Sequence, residues 1–380
     1  MIPSAGTPLK LIDIIKASVC SCDFEANIRK MLSVKYAFTV NSGTTALYVI
    51  LSVLKRLSNK NEIILPAYTA PSLILPIKKA GLKYKLADVS LETFNMDVNE
   101  ALNMADDNTL AILCIHMFGI PLDMSGMRDM EGVCVIEDAA SSFGTRKENK
   151  FTSTFGDIGF ISFNRGKNLS IISGGLIVTD SDRFADIISD EIKKLPSLDF
   201  YAKVGIYLKA VGLSYAVRPW FYTIMNGAVS NFKYTSLHEE FHSFHYTDFQ
   251  RSLGCALIKK SGRIFSDRER KGRLLYGALK DINGIRLPLI PDGWNVVFNQ
   301  FPFLVEDEGK RLKLVNAVIN SGLEATILYD KPIHKIYNSE NQNYPNAEYM
   351  ASRLVLIPVH HYVTERKLYK VVESIKDALK

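Results

Sequence analysis

Residues 133–144 read V-C-V-I-E-D-A-A-S-S-F-G, and residues 159–180 read G-F-I-S-F-N-R-G-K-N-L-S-I-I-S-G-G-L-I-V-T-D. The first opens with a short apolar, β-branched run, Val133 to Ile136, of the kind that makes a fully buried strand. That run ends in two acids, Glu137 and Asp138. Ionised carboxylates at the end of a buried strand need partners. In open α/β sheets, ligands bind beyond that same carboxyl end. A second apolar run, Gly159 to Phe163, ends near Lys167, and a third, Leu176 to Thr179, follows Gly174-Gly175. Two strand ends therefore offer an acid and a lysine to one crevice.

An acid and a lysine so placed suit pyridoxal phosphate, which needs a lysine amine for its Schiff base and an acid to hold its pyridine nitrogen protonated. Taken singly the two residues have blander readings: Lys167 as a solvated surface lysine, Asp138 as a helix cap. The longer pattern tips the balance. I-E-D-A-A, then S-F-x-x-x-K-N-L, then G-G with an apolar strand, resembles the DegT/DnrJ/EryC1/StrS family. Its members are fold-type-I pyridoxal-phosphate enzymes, mostly aminotransferases acting on nucleotide-linked keto sugars. The resemblance implies that Asp138 pairs with the pyridine nitrogen and that Lys167 is the Schiff-base residue.

Upstream, Tyr36 to Val40 reads as a strand and leads into N-S-G-T-T-A-L. A hydroxyl-rich turn opening a helix is a good phosphate site, because free N–H groups and the positive end of the dipole face the anion. An ordinary capped helix would look the same, since Ser and Thr are preferred there anyway. The family has a similar turn on the cofactor phosphate, which implies that role for Thr44 and Thr45. Ser162 matches the family's phosphate-binding serine. Ser141 stands where the family has a glutamine on the cofactor's ring oxygen. Ala70 stands where it has a stacking aromatic, with Tyr68 the nearest aromatic. Ser173 replaces an acid in its G-E-G-G. Ser243 matches an asparagine that reaches across a dimer to the neighbour's phosphate. His116, at a strand end, either borders the substrate or is a satisfied structural histidine, and His334 is a second candidate substrate contact.

The rest of the chain alternates strands (Glu62 to Leu65, Lys83 to Ala87, Leu110 to Ile115) with helices, including one expected near Met124 to Met130. That rhythm means a mostly parallel sheet covered on both faces. The expected fold is α/β, fold-type-I transferase-like. A seven-stranded sheet lies in a large domain, residues 1–240, and a small α+β domain covers 241–380.

Residues 202–230 are more apolar and aromatic than a surface helix should be. Lys203, Lys209, Arg218 and Pro219 interrupt any run before it reaches the roughly 20 residues a bilayer needs. The segment reads as a buried helical pair at a subunit interface, with Trp220 and Phe221 covered; the alternative is an interfacial helix resting on a membrane.

With 380 residues, 47% hydrophobic and 23% charged, the chain can build a large core. Its net charge of +6 is spread without a basic block, which argues against nucleic-acid binding. Five cysteines show no zinc-like spacing and no disulfide framework, and Cys114 and Cys134 fall inside strand patterns. That pattern, with no signal peptide at the N-terminus, points to a reducing cytoplasm.

The expectation is thus a cytoplasmic, homodimeric aminotransferase that uses pyridoxal phosphate, with glutamate as donor and a nucleotide-linked keto sugar as acceptor. Two rivals remain. A minority of the family removes a hydroxyl instead, but those members typically lack the lysine. A non-catalytic protein on the same fold would be favoured by Ala70, Ser141 and Ser173.

Overall fold

A computed structural model describes every residue except 7–8, 128, 230–238 and 338–342. Its strands in chain order are β1 (Tyr36–Val40), β2 (Glu62–Pro66), β3 (Lys83–Ala87), β4 (Thr109–Ile115), β5 (Cys134–Asp138), β6 (Arg146–Lys147), β7 (Lys150–Phe151), β8 (Ile158–Ser162), β9 (Gly175–Thr179), β10 (Ile285–Arg286), β11 (Trp294–Asn295), β12 (Gln300–Val305) and β13 (Leu354–Pro358). Its helices are α1 (Leu11–Val19), α2 (Phe24–Leu32), α3 (Gly43–Leu57), α4 (Ile74–Lys79), α5 (Val98–Met104), α6 (Asp182–Lys193), α7 (Phe200–Ala216), α8 (Pro219–Val229), α9 (Asp248–Ile258), α10 (Ser261–Leu279), α11 (Arg311–Asn320), α12 (Ile333–Ile336), α13 (Pro345–Arg353) and α14 (Glu365–Leu379).

The seven-stranded sheet has the order β1-β9-β8-β5-β4-β2-β3. Its pairings are parallel except where β9 meets β1 and β8. Every residue of β4, β8 and β9 is buried, as strands covered on both faces must be, and this explains their continuous apolar runs. Because β9 alone runs backwards, the ends of β1, β5 and β8 and the start of β9 lie along one edge. Asp138, Ser162, Gly175 and the Val40 entry into α3 are consequently neighbours at that edge. A second sheet, β10-β12-β13, is antiparallel and packs with α11 and α14.

Two expectations change. Between 124 and 130 the described residues form turns, and Gly126 takes φ +81, which no α-helix contains. Cys22 and Cys255 form a disulfide across 233 residues of sequence, tying the segment that enters α2 to α9. A pairing so distant leaves no spacing signal, and it removes the cysteine argument for a reducing compartment. In α7 and α8 the adjoining helices leave Trp220 58% exposed and Phe221 partly buried. The buried aromatic of this segment is Tyr222, whose hydroxyl donates to Glu324 Oε1 at 2.7 Å. Ser230 lies outside the described residues. No helix among the described residues is long and apolar enough to cross a membrane.

Candidate active site

Asp138 closes β5 and is buried. Its Oδ1 accepts the Ala140 N–H at 2.8 Å. Burial pushes its carboxyl above the usual range, against the opposing pull of Lys167, the Ala140 N–H and His116. Lys167 sits in the loop after β8, half-buried, its Nζ 3.2 Å from Ser141 Oγ. Desolvation lowers its pKa, and the charge of Asp138 partly restores it. A lysine so placed holds more of its amine unprotonated, the form that attacks a carbonyl. Asn168 fixes this loop by donating to the carbonyls of Phe143 and Val297, both at 3.0 Å.

The second part is the start of α3. Ser42 is the N-cap, and its Oγ accepts the Thr45 N–H at 3.1 Å. Thr45 Oγ1 lies 3.0 Å from Ser42 Oγ and 3.5 Å from Ser243 Oγ. Thr44 is partly exposed on the same turn. A Cβ on Gly43 would stand 3.0 Å from Ser162 Cβ, and one on Gly175 would stand 2.1 Å from the Ser42 carbonyl oxygen. Two glycines thus let hydroxyls from three segments converge on a helix N-terminus whose first-turn N–H groups have no helical acceptor. Ser243 joins this cluster within its own chain, because Asn41 and Phe244 bond to each other's segments beside β1. Ser243 therefore stands beside Thr45 of its own chain.

Pyridoxal phosphate fits these residues. A buried acid awaits the ring nitrogen, an amine of lowered basicity awaits the carbonyl carbon, and hydroxyls with helix N–H groups await the phosphate.

Other candidates are placed differently. His116 is fully buried, with both ring nitrogens in use. Its Nδ1 accepts the Leu122 N–H at 2.9 Å, so in the neutral ring Nε2 carries the hydrogen and donates to Glu137 Oε1 at 2.8 Å. In this arrangement it is held as a structural histidine, both nitrogens engaged within the chain. Glu137 also accepts the N–H groups of Ser153, Phe155 and Gly156 at 2.7, 2.7 and 3.0 Å. Glu137→Leu is expected to strand these donors, costing several kcal/mol at about 1–3 kcal/mol each; the check is the urea midpoint of the purified variant. His334 is buried between the Glu348 carboxylate, 2.9 Å from Nε2, and the Tyr344 ring.

Tyr68 is core and does not offer a free stacking face. Its hydroxyl bonds the backbone oxygen and N–H of Tyr329 at 3.3 and 3.4 Å. That strut holds Tyr329, a half-buried aromatic whose phenol is pushed upward by burial and then by the negative charge of Asp138. Tyr329 also meets the Tyr68 ring edge to face, with centroids 5.8 Å apart, from the segment before α12. Nothing in T-I-L-Y-D-K-P marks it; only its tertiary contact with Tyr68 brings it there. Ser42 was also missed, although the N-S-G-T turn contained it.

One departure from the resembling pattern is visible as backbone geometry. Ile172, where the family has the first glycine of G-E-G-G, takes φ +72, a region costly for a β-branched residue. Burial of its side chain with α1 and α2 offsets that strain. Gln250 secures the next residue, donating to the Ser173 carbonyl and Oγ at 3.0 and 3.1 Å.

The sequence profile described as the DegT/DnrJ/EryC1/StrS aminotransferase family matches residues 20–376. The GDP-perosamine synthase of Escherichia coli O157:H7 is 25% identical over 362 residues, spanning 93% of this chain and 88% of that protein. The UDP-N-acetyl-3-dehydro-alpha-D-glucosamine 3-aminotransferase of Acidithiobacillus ferrooxidans is 25% identical over 362 residues, spanning 93% and 87%. The E. coli GDP-4-keto-6-deoxy-D-mannose-3-dehydratase, solved with bound hydrated PLP, has the same fold, with TM-score 0.77 at 19% identity over 99% of both chains.

Proposed function

The chain belongs to the DegT/DnrJ/EryC1/StrS aminotransferase family, and on that premise we propose that it moves an amino group from glutamate to the keto carbon of a nucleotide-linked sugar. The observation that carries this reading is the facing pair, Lys167 with a lowered pKa and the buried Asp138. It favours amine transfer over hydroxyl removal, because the lysine is present and placed. Relatives named as GDP- and UDP-sugar enzymes support the acceptor class.

Pyridoxal phosphate, when bound, supplies an electron sink that weakens the bond to hydrogen at the donor's α-carbon. The chain's own groups do the rest. Asp138 holds the proton on the ring nitrogen. The α3 N-terminus, with Thr44, Thr45 and Ser162, holds the phosphate. Lys167 would hold the carbonyl carbon, and its amine would carry a proton away from the donor carbon and one to the acceptor carbon. Ser141 keeps Nζ in place at 3.2 Å. Donor and acceptor use one site in turn, so the kinetics are ping-pong.

The test is the half-reaction. The chain loaded with pyridoxal phosphate and given glutamate alone should release one 2-oxoglutarate per site, and borohydride treatment before glutamate should leave the cofactor on Lys167. Absence of 2-oxoglutarate from a fully loaded chain would remove this donor.

A homodimer belongs to the same proposal, since enzymes of this kind build each site from two subunits. Light scattering in detergent-free buffer should give twice the mass of the chain; a single-chain mass at micromolar concentration would sink it. The cytoplasm remains the proposed compartment on the substrate class alone.

A further inference from the structure

We propose that the outer face of α7 and α8 docks on a lipid bilayer surface that carries anionic headgroups. Within the chain, α7 is covered along one narrow stripe, Ala210, Ser214 and the following Val217. Opposite it, Phe200, Tyr201 and Leu208 are 73, 83 and 62% exposed, and on α8 Trp220 and Ile224 are 58 and 73% exposed. At roughly 100° per residue, Phe200, Val204, Leu208 and Tyr201 fall in one sector. Gly205 and Gly212 border that sector with open space beside them. The exposed Lys203 and Lys209 lie roughly 60° and 80° beyond its two edges, Lys203 on the line of the covered stripe but nearer the start of α7 than the residues that are buried. Aromatic and aliphatic side chains in the middle with lysines at the margins is the layout of a helix lying in the interface, its lysine stems reaching up to headgroup level. On the adjacent α1, Ile12, Ile15 and Val19 form a second exposed stripe at helical spacing, with Lys16 exposed beside it.

Charge identifies the occupant. From Phe200 to Ile224 the chain carries Lys203, Lys209 and Arg218 and no acidic residue. Asp199, just before, is engaged as the N-cap of α7. On α1, Asp13 is buried in an ion pair with Lys260. A second copy meeting this face across a two-fold axis would present the same patch to itself. Arg218 is held on the Ser214 carbonyl and the Tyr215 ring, but the exposed Lys203 and Lys209 would then meet their own copies with no acid within the stretch to answer them, which disfavours the pairing. A bilayer with anionic headgroups supplies the missing sign and accepts the aromatics. The contact is peripheral, because no described helix is long and apolar enough to span. The inward side of α8 stays anchored by Tyr222 on Glu324, so the outer face can be changed without dismantling the fold.

The experiment is co-flotation of the full chain, loaded with pyridoxal phosphate, with vesicles of phosphatidylcholine containing about one-third phosphatidylglycerol, and with phosphatidylcholine alone. Binding should be about tenfold or more stronger on the anionic vesicles and should weaken in high salt. Leu208→Glu with Trp220→Glu should abolish it. Lys203→Glu with Lys209→Glu should lower it by about tenfold or more, with cofactor loading and circular dichroism unchanged. Failure of the wild-type chain to float with anionic vesicles overturns the proposal, and so does binding that ignores both double variants. A wild-type dimer that does not float, and that Leu208→Glu with Trp220→Glu splits, would make this face an interface between copies instead.

Discussion

Lys167→Ala is expected to abolish the glutamate half-reaction, lowering its rate by about four orders of magnitude or more, as loss of an acid–base and anchoring group in one residue implies. The fold should survive. The lysine is half-buried and its Nζ has Ser141 as its hydrogen-bond partner, whereas the loop around it is held by Asn168 on Phe143 and Val297. Removing the side chain relieves the desolvation of the amine but leaves the buried Asp138 without its countercharge, so the urea midpoint should fall modestly while the variant still folds. Two readouts separate this from a general defect. Borohydride should no longer leave cofactor on the chain, while unattached cofactor should still be retained through Asp138 and the α3 N-terminus. Near-normal release of 2-oxoglutarate by this variant would make the assignment of Lys167 wrong.

The parts of the site that were legible in the sequence share a physical cause. Asp138 and Ser162 end strands buried on both faces, so their apolar runs stand out and the polar residue at each end is conspicuous. The N-S-G-T-T turn stands out because a helix start needs such residues whatever it binds. What stayed hidden depends on contacts distant in the chain. His116 at a strand end looks like any histidine near a crevice until Leu122 and Glu137 take its two nitrogens. Tyr68 looked like a replacement for the aromatic missing at Ala70, but its hydroxyl is spent on the backbone of Tyr329, 261 residues away. Cys22 and Cys255 pair because α9 packs on α1 and α2, which no local spacing announces. The apolar content of 202–230 was plain from composition, but which face it left open was not. Its low amphipathicity now has a reason: α7 buries one stripe on the chain and shows a second, wider apolar sector outward.

Asp138→Asn is expected to keep cofactor attachment at Lys167 while lowering the half-reaction by about two to three orders of magnitude, within the range for loss of a positioned proton partner. The amide is nearly isosteric, and its oxygen can still accept the Ala140 N–H that Oδ1 accepts now at 2.8 Å. Its other atom becomes an NH2 donor, which cannot accept a proton-bearing ring nitrogen. The nitrogen then loses its proton and the electron sink weakens. Cofactor affinity should fall by about tenfold, the worth of one hydrogen bond to a charged group. A second effect has a fixed sign. Burial depresses the pKa of Lys167, and the charge of Asp138 opposes that depression. Removing the charge leaves burial unopposed, so the Lys167 pKa should drop further and attachment of cofactor should persist to lower pH than in the parent. Absorbance of the attached cofactor against pH reads that shift, and the same samples give the rate of 2-oxoglutarate release. A lowered rate without the shift would mean that Asp138 acts on the ring nitrogen alone; an unchanged rate would reduce it to a structural acid at the end of β5.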